Sequence, residues 1–370
     1  MPVTPPSPPF HAVGIPLPKL PDRFDEWLSV PLPYESSDPR FEVRRADPSE
    51  YPAIYHLVDA SFGLERPRAV YDWLYRRNPR GPARCWIVVV RNSGQIVSQN
   101  SDWPWPIARG TQALEGFQIG DAVTAPHWQH QGVGELLEEA RQQHPFQKDR
   151  ISLGWPNEKS VGRMRKHGRG WKIMGPLPQA VCRLRRRGAL RGAVNAVLGA
   201  GGRGLFGRRS GIVVEEIRRF DSAFDDVTAR HTAWHGFWCP HDSEFLNWRH
   251  LDHPTSQHIA LSLSHHGNLA GYCVVKIEER SALMMDFVAP RTPPLLPTAL
   301  LRRAMGVARE AGCTRLRFFA TPGWPHWPLF RACNFADRPS NVFIMSSSRY
   351  RPESQQLERW QCLPGDSDAL

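Results

Sequence analysis

A short glycine-containing loop has the residue types and spacing to bind a phosphate. It reads Gln129-His-Gln-Gly132-Val-Gly134 and lies between an apolar run that ends near Val123 and a helical pattern that begins near Glu135. The first amides of a helix lack intrahelical partners and lie at the positive end of the helix dipole, and glycine lets that backbone approach an anion closely. The spacing excludes a Walker nucleotide loop, and it lacks the first glycine of the Rossmann fingerprint.

Two carboxylates on the strand before this loop are candidate general bases. Asp121 and Glu115 are separated by an even number of residues, so they lie on one face of the strand if no bulge intervenes. A carboxylate beside a bound electrophile takes the proton of an attacking ammonium directly or through water. The alternative for Asp121 is a structural hydrogen-bond acceptor.

The elements that must position these groups follow the order β-α-α-β-β-β-α-β-α-β from about residue 41 to residue 184. Asp47-Pro48-Ser-Glu50 is typical of a helix start, because Asp caps the first amides and Pro suits the first helical position. The strand over Leu114–Thr124 carries both carboxylates and leads into the loop. A single strand-like piece over Trp171–Leu184 ends this order.

Composition limits the class of protein. The chain has 370 residues and is 41% apolar, which favours two domains with substantial cores. It contains no run of about twenty apolar residues and no recognisable secretory signal, so no transmembrane helix is expected. Seven cysteines without a Cys-x-x-Cys pair favour a reducing cytoplasm and predict no cysteine zinc site.

Positive charge is concentrated in one segment. Eight of the eleven net positive charges come from arginines between Arg183 and Arg209, where there is no Asp or Glu. The folded parts are therefore almost neutral, and no nucleic-acid partner is expected. The basic segment is interpreted as an interdomain linker, with amphipathic contact to an anionic membrane surface through residues 183–209 as the alternative.

The second part of the chain repeats landmarks of the first in the same order and at nearly constant separation. Trp73 matches Trp248 in a shared Trp-x5-Pro pattern, and Asp121 before a Pro matches Asp286 before a Pro. An ordered set of matches predicts two copies of one fold. The second copy lacks the glycine loop, because the corresponding residues 291–297 include three prolines, which have no amide hydrogen for a phosphate.

The strand, loop and helix resemble the acyl-CoA pyrophosphate loop of the GNAT (general N-acetyltransferase) superfamily, and the element order resembles the GNAT order. The doubled pattern resembles tandem-GNAT families such as the N-myristoyltransferases and the Eis-like acetyltransferases. The expected fold class is α/β, with α+β mixed sheets in two tandem GNAT domains. The predicted parts are a Pro-rich arm (1–40), GNAT domain 1 (41–182), an Arg/Gly-rich linker (183–211), GNAT domain 2 (212–348) and a C-terminal tail (349–370).

The resemblance implies acyl-CoA as co-substrate, most simply acetyl-CoA, and no metal. It places the acyl-CoA contacts on the strand end, the loop and the residue after the following strand: Val123, Thr124, Gln129, His130, Gln131, Gly132, Val133, Gly134, Glu135 and Asn157. The family often has a general-acid Tyr where this chain has Met164, which cannot donate a proton, so that role stays unassigned.

The favoured hypothesis is a CoA-dependent N-acyltransferase acting on an amine of a small molecule or a sugar or glycan precursor. The first copy would bind the donor, and the second would shape the acceptor site. The alternatives are a Fem-like aminoacyl transferase, which would not need an intact CoA loop, and a non-catalytic acyl-CoA-binding protein.

Overall fold

The computed structural model describes residues 17–147, 150–157, 160–162, 171–184, 211–232, 236–340, 342–347 and 352–367. Met164 and residues 185–210, which include most of the predicted linker, lie outside the described residues. We refer to residues 17–184 as the first half and to residues 211–367 as the second half. None of the described helices is long and apolar enough to cross a membrane.

The described strands form two mixed sheets, as expected for the predicted α/β class. The strands of the first half are β1 (Phe41–Arg45), β2 (Arg84–Val90), β3 (Ile96–Pro104), β4 (Ile107–Arg109), β5 (Gln112–Thr124), β6 (Arg150–Gly154), β7 (Trp171–Pro176) and β8 (Gln179–Arg183). Those of the second half are β9 (Ile212–Ile217), β10 (Phe237–Trp238), β11 (Gln257–His265), β12 (Asn268–Glu278), β13 (Ser281–Val288), β14 (Arg315–Phe319), β15 (Ala336–Arg338), β16 (Phe343–Ser347) and β17 (Trp360–Gln361).

Helices cover the faces of these sheets. They are α1 (Phe24–Ser29), α2 (Tyr51–Phe62), α3 (Arg68–Tyr75), α4 (Val133–Gln143), α5 (Ala223–Thr232), α6 (Ser243–Leu246), α7 (Leu295–Glu310) and α8 (Trp327–Ala332). The predicted helix start at Asp47 is confirmed, since its carboxylate caps Ser49 and the Glu50 side chain returns to the Asp47 amide. A single 3-10 turn, Pro48–Glu50, precedes α2.

The two halves exchange strands near their ends. β16, from the end of the second half, lies between β6 and β7 in the first sheet. In return, β8 of the first half pairs with β14 and β15 in the second sheet. The single strand predicted over Trp171–Leu184 is therefore wrong: it breaks at Leu177-Pro178 and its two parts join different sheets. The predicted domain boundaries at residues 182 and 348 do not separate the two sheets, because β8 and β16 each pair with strands of the other half.

A pair of tryptophans joins the halves reciprocally. The rings of Trp73 and Trp248 stack with centroids 4.7 Å apart and an interplanar angle of 18°. Each indole nitrogen donates to the backbone carbonyl of the other tryptophan, at 2.8 and 3.1 Å. Both side chains are buried in one shared core. Two residues matched by the sequence repeat thus make equivalent contacts across an approximate twofold axis.

Both ends of the described chain are packed against the body. Trp27, in the predicted Pro-rich arm, is fully buried and meets Trp86 edge to face, with ring centroids 5.7 Å apart. At the other end, β17 pairs with β10, and Leu363 and Asp366 are buried. Residues 352–367 therefore form part of the core, in contrast to the tail predicted over 349–370.

Candidate functional site

A β-bulge reshapes β5 where the candidate base Asp121 lies. Gln99 on β3 pairs with Val123 and Ser101 pairs with Gly120, so β5 holds one extra residue between these pairs. Asp121 has a positive φ of 48°, and its carbonyl accepts a hydrogen bond from the Gln99 side chain. A bulge of this kind redirects a side chain relative to the regular alternation of the strand.

The redirected Asp121 carboxylate faces helix α3. It accepts two hydrogen bonds from the Arg66 guanidinium, at 2.8 and 3.1 Å, and one from the Tyr75 hydroxyl at 2.9 Å. Ser101 in turn donates to the Tyr75 oxygen at 2.9 Å. Burial disfavours the charge of Arg66, but the Asp121 carboxylate outweighs burial and raises the pKa of Arg66.

Glu115, the other candidate base, lies on the opposite face of the sheet. Its carboxylate accepts a hydrogen bond from Arg84 at 2.7 Å. The Arg84 guanidinium lies over the rings of Phe117 and Trp27, at 4.6 and 5.8 Å, on the face that α1 and α4 cover. Asp121 and Glu115 were expected on one face only if no bulge intervened, and the bulge at Asp121 shifts the alternation by one residue, so they lie on opposite faces.

The glycine loop closes into a preformed turn before α4. A 3-10 turn, Pro126–Trp128, follows β5. The Gln129 side chain then donates back to the Thr124 carbonyl at 3.0 Å, and that of Gln131 donates to the His127 carbonyl at 2.8 Å. Both glutamines therefore fix the loop with their own side chains and leave the nearby main chain available.

The first turn of α4 presents free main-chain amides. Gly132 is the N-cap residue, with a left-handed φ of 79° and no side-chain cap. The helix bonds within its first turn begin with the amides of Glu135 and Leu136, which donate to the Gly132 carbonyl. Among the described residues, no hydrogen bond engages the amides from 130 to 134. A Cβ built at Gly132 meets no atom within 4 Å, so the surface over the turn is open.

β5 pairs in parallel with β6 only from Glu115 to Ile119, and it continues to Thr124 beyond the end of β6. We call the gap beside β5 where β6 no longer pairs with it, from Gly120 to Thr124, the first cleft. Val123 is buried at the cleft, and the Thr124 hydroxyl lies 3.0 Å from that of Ser98. Asn157, just after β6, accepts a hydrogen bond from the Ser160 amide at 2.9 Å and so caps a turn of chain.

A buried ionic cluster fixes α4 on the sheet. Asp102 on β3 is fully buried and accepts hydrogen bonds from Arg141 of α4 at 3.0 Å and from Arg150 of β6 at 2.7 Å. Burial disfavours its charge, but the two guanidinium groups outweigh burial and hold the pKa of Asp102 below its usual value. The cluster thus ties the loop-bearing helix to β3 and to β6, and β6 borders the cleft. The sequence analysis did not identify it.

The second half has a row of contacting His and Asp side chains around Asp286, the counterpart of Asp121. His250, the counterpart of Tyr75 two residues after the matched tryptophan, lies 2.6 Å from Asp286. His241 approaches Asp286 on one side at 3.3 Å and Asp366 on the other at 2.8 Å. All four side chains are buried. They line or adjoin a cavity that also meets Thr228 and Tyr272.

The repeat alignment could have located His250, whereas nothing in the sequence links His241 to Asp366. In the described residues, no group of three or more His, Cys, Asp or Glu side chains is arranged to hold a metal ion.

This cluster predicts a pH dependence of stability. Burial opposes the charge of His241, but Asp286 and Asp366 outweigh burial and raise its pKa to about 10. A His whose pKa is raised in the folded state stabilises the folded protein. This contribution is fully present below the pKa of about 6.5 that His has in the unfolded chain, and it is lost as the pH rises towards 10. The pKa values of Tyr272 and Cys239, which face the same cavity, are raised well above their ordinary values by burial. Burial keeps the pKa of His250 low.

We therefore expect the melting temperature of the wild-type protein to exceed that of His241→Gln most clearly near neutral pH. The gap should narrow between pH 7 and pH 10, as followed by thermal unfolding in matched buffers. A gap that stays constant over this range would contradict a charged His241.

The second half lacks the features of the glycine loop. Helix α7 follows Pro294 as its N-cap residue, and Pro297 occupies its third position. Neither residue has an amide hydrogen. The helix start that corresponds to α4 therefore presents fewer donors to an anion.

Comparison with known families gives a match to part of the chain. The model of the family described as "Acetyltransferase (GNAT) domain" matches residues 42–173. Comparison with curated protein sequences gives no significant match.

Solved structures share the fold of most of the chain. A probable N-acyltransferase from Enterococcus faecalis V583 superposes with a TM-score of 0.60 at 13% identity, over 84% of this chain and 73% of that one. A GCN5-related N-acetyltransferase from Kribbella flavida gives 0.56 at 17% identity, over 86% and 74%. Saccharomyces cerevisiae N-myristoyltransferase, solved with bound myristoyl-CoA, gives 0.51 at 10% identity, over 92% and 88%. Identities this low establish the fold alone.

Proposed function

Because residues 42–173 match the model of the GNAT acetyltransferase domain, we propose that this chain transfers an acyl group from acyl-CoA to an amine. The observation that carries the proposal is the open first turn of α4, which follows the left-handed Gly132 at the end of the β5 cleft. A helix start with free amides is suited to an anionic pyrophosphate.

The donor would lie along the cleft between β5 and β6. The amides from residue 130 to residue 134 would hold the pyrophosphate, since those of Gln129 and Glu135 are already bonded within the turn. The strand end at Val123 and Thr124 would hold the pantetheine arm. The side chains of Gln129 and Gln131 support this role indirectly, because they brace the turn against the chain before it. Asn157 would act by fixing the chain at the far wall of the cleft.

Of the two candidate bases, Asp121 fits the reaction better. Its bonds to Arg66 and Tyr75 use three acceptor positions of the carboxylate, and one position on Oδ1 stays available for a proton. Glu115 points to the other face, into contacts with Arg84. In this scheme Asp121 takes one proton from the ammonium, and the amine nitrogen bonds to the thioester carbon. The nitrogen then releases a second proton to solvent as the carbon–sulfur bond breaks, and the CoA thiolate takes a proton from solvent.

The acceptor would approach from the second half. Trp73 and Trp248 hold this half against the α3 side of the first sheet, which is the side that Asp121 faces. The second half lacks a comparable loop, so its part in the reaction would be to shape the acceptor pocket. The acceptor class we propose is a small molecule or a sugar or glycan precursor that carries an amine.

Calorimetry with acetyl-CoA tests the donor site. We expect one binding event per chain, and we expect the double variant Gly132→Asp plus Gly134→Asp to weaken binding by about a hundredfold, since two carboxylates would face the pyrophosphate. Gly94→Asp is the matched control: Gly94 also has a positive φ and open surroundings, but it lies in the β2–β3 turn. Absence of binding to the wild-type chain, or equal binding by both variants, would refute the donor site.

Turnover tests the base. We expect Asp121→Asn to lower kcat for release of CoA by about 10²-fold or more, with little change in acetyl-CoA affinity, because the amide cannot accept the proton. Glu115→Gln should leave kcat nearly unchanged and serves as the control. Binding of acetyl-CoA without turnover on any amine would instead support a non-catalytic acyl-CoA-binding protein.

Contact of residues 183–209 with anionic membranes also stays a prediction, which flotation with anionic liposomes would check.

A further inference from the structure

The end of the described chain fills a cleft in the second half. Residues 360–367, which we call the C-terminal strap, begin with β17 beside β10. β13 and β14 pair in parallel only from Ser281 to Leu283, so the rest of β13 is paired with β12 alone, as the end of β5 is paired with β3 alone. Asp286 lies on this part of β13, and the strap passes against it.

The strap is fitted closely to both walls of this cleft. On the β14 side, the Thr321 amide donates to the Cys362 carbonyl at 3.2 Å, and the Cys362 amide donates to the Thr321 hydroxyl at 3.3 Å. On the β13 side, a Cβ built on Gly365 would lie 2.7 Å from Asp286 Oδ2, so only glycine permits this approach. The strap therefore occupies the cleft as an added strand-like element.

Charged groups and a neighbouring tryptophan hold the far end of the strap. The Asp366 carboxylate lies 2.8 Å from His241, and its other oxygen accepts the Leu363 amide at 2.7 Å. Arg249 donates to the Gly365 carbonyl at 3.2 Å. Trp155, which directly follows β6 in the first half, donates to the Asp366 carbonyl at 3.1 Å. The strap thus reaches from the core of the second half to one wall of the first-half cleft.

We propose that the C-terminal strap is an internal occupant of the second-half cleft, in the place where the first half would receive the donor arm, and that His241 latches it there. The comparison with a donor arm rests on the proposed function, whereas the seating of the strap does not. The strap closes the second half to a second acyl-CoA. Through Trp155 it also steadies the strand that borders the first cleft, two residues before Asn157.

Thiol labelling with iodoacetamide, mapped by peptide mass spectrometry, tests the seating in the full chain. In the wild-type protein, Cys362 should react as slowly as the fully buried Cys273 and far more slowly than the partly exposed Cys333. Labelling of native wild-type Cys362 at the rate of Cys333 would overturn the proposal. This measurement requires neither a variant nor any activity. A negative result would therefore count against the seating of the strap alone and would say nothing about the proposed donor site.

Two variants test what holds the strap. Gly365→Val should expel it and raise Cys362 labelling by about tenfold or more, with Cys273 still protected. Gly323→Val is the matched control, because Gly323 lies close to Thr321 but a Cβ there meets no atom within 4 Å. His241→Gln should also raise Cys362 labelling, by a smaller factor. Equal Cys362 protection in Gly365→Val and Gly323→Val would overturn the fit, and unchanged protection in His241→Gln would overturn the latch.

Discussion

Residues 1–184 expressed alone should fail to fold, although they contain the whole GNAT match and the glycine loop. β16 lies between β6 and β7, and β7 has no other partner among the described strands. Ile344 on β16 is fully buried in the core shared by the two halves. The same fragment would expose β8, whose partners β14 and β15 belong to the second half. Unpaired strand edges and an open core favour aggregation over folding.

Co-expression provides the control for this prediction. Residues 1–198 and 199–370, produced as separate chains, should copurify and unfold in one cooperative thermal transition, because each supplies the strand that the other sheet lacks. Either fragment produced alone should show no cooperative transition by calorimetry. A cooperative transition together with acetyl-CoA binding by residues 1–184 alone would contradict the role of the exchanged strand.

Asp102→Asn should be the most destabilising conservative substitution in the first half. It leaves the guanidinium groups of Arg141 and Arg150 buried without their carboxylate, at contacts of 3.0 and 2.7 Å. Removing one partner of a buried ion pair typically costs about 3–5 kcal/mol, which is a large part of the total stability of a domain. The free energy of unfolding should be measured by denaturant titration, and acetyl-CoA affinity should fall as α4 loosens.

Two further variants test the cause of this loss. Asp38→Asn removes a carboxylate that is bonded to Arg40 at the surface, and it should have little effect on stability. Adding Arg150→Met to Asp102→Asn should restore part of the lost stability, because it removes the guanidinium that has no other carboxylate partner among the described residues, whereas Arg141 keeps its ion pair with Glu138. If Asp102→Asn is no more damaging than Asp38→Asn, the cluster does not hold α4.

Patterns within a single element were readable from the sequence. The sequence predicted the strand, turn and helix of the first cleft from the strand pattern of β5, the glycine at position 132 and the helical spacing after it. These elements are present. The Asp47 cap was likewise local, because its partners lie within three residues. The repeat predicted Trp73 and Trp248 as counterparts, and the structure places them in contact.

Features that depend on a partner elsewhere in the chain were not readable. The extra residue in β5 is defined only against β3, so the sequence could not show that Asp121 turns away from Glu115. Periodicity identifies a strand but does not name its neighbour, and the exchange of β8 and β16 was missed for that reason. His241 and Asp366 are brought together by the return of the chain end, and each is unremarkable in its own sequence context.

The reciprocal tryptophan contact has a consequence for how such a chain can change. Two identical subunits related by a twofold axis would make this contact, and in that assembly every substitution would appear at both sites at once. Covalent joining removes that constraint, since each site can vary independently while the shared interface is kept. Tyr75 and His250, both two residues after a matched tryptophan, differ in this way: a hydroxyl meets a carboxylate in one half, and an imidazole meets a carboxylate in the other. A single chain can thus carry different chemistry at two matched positions without losing the contact that joins its halves.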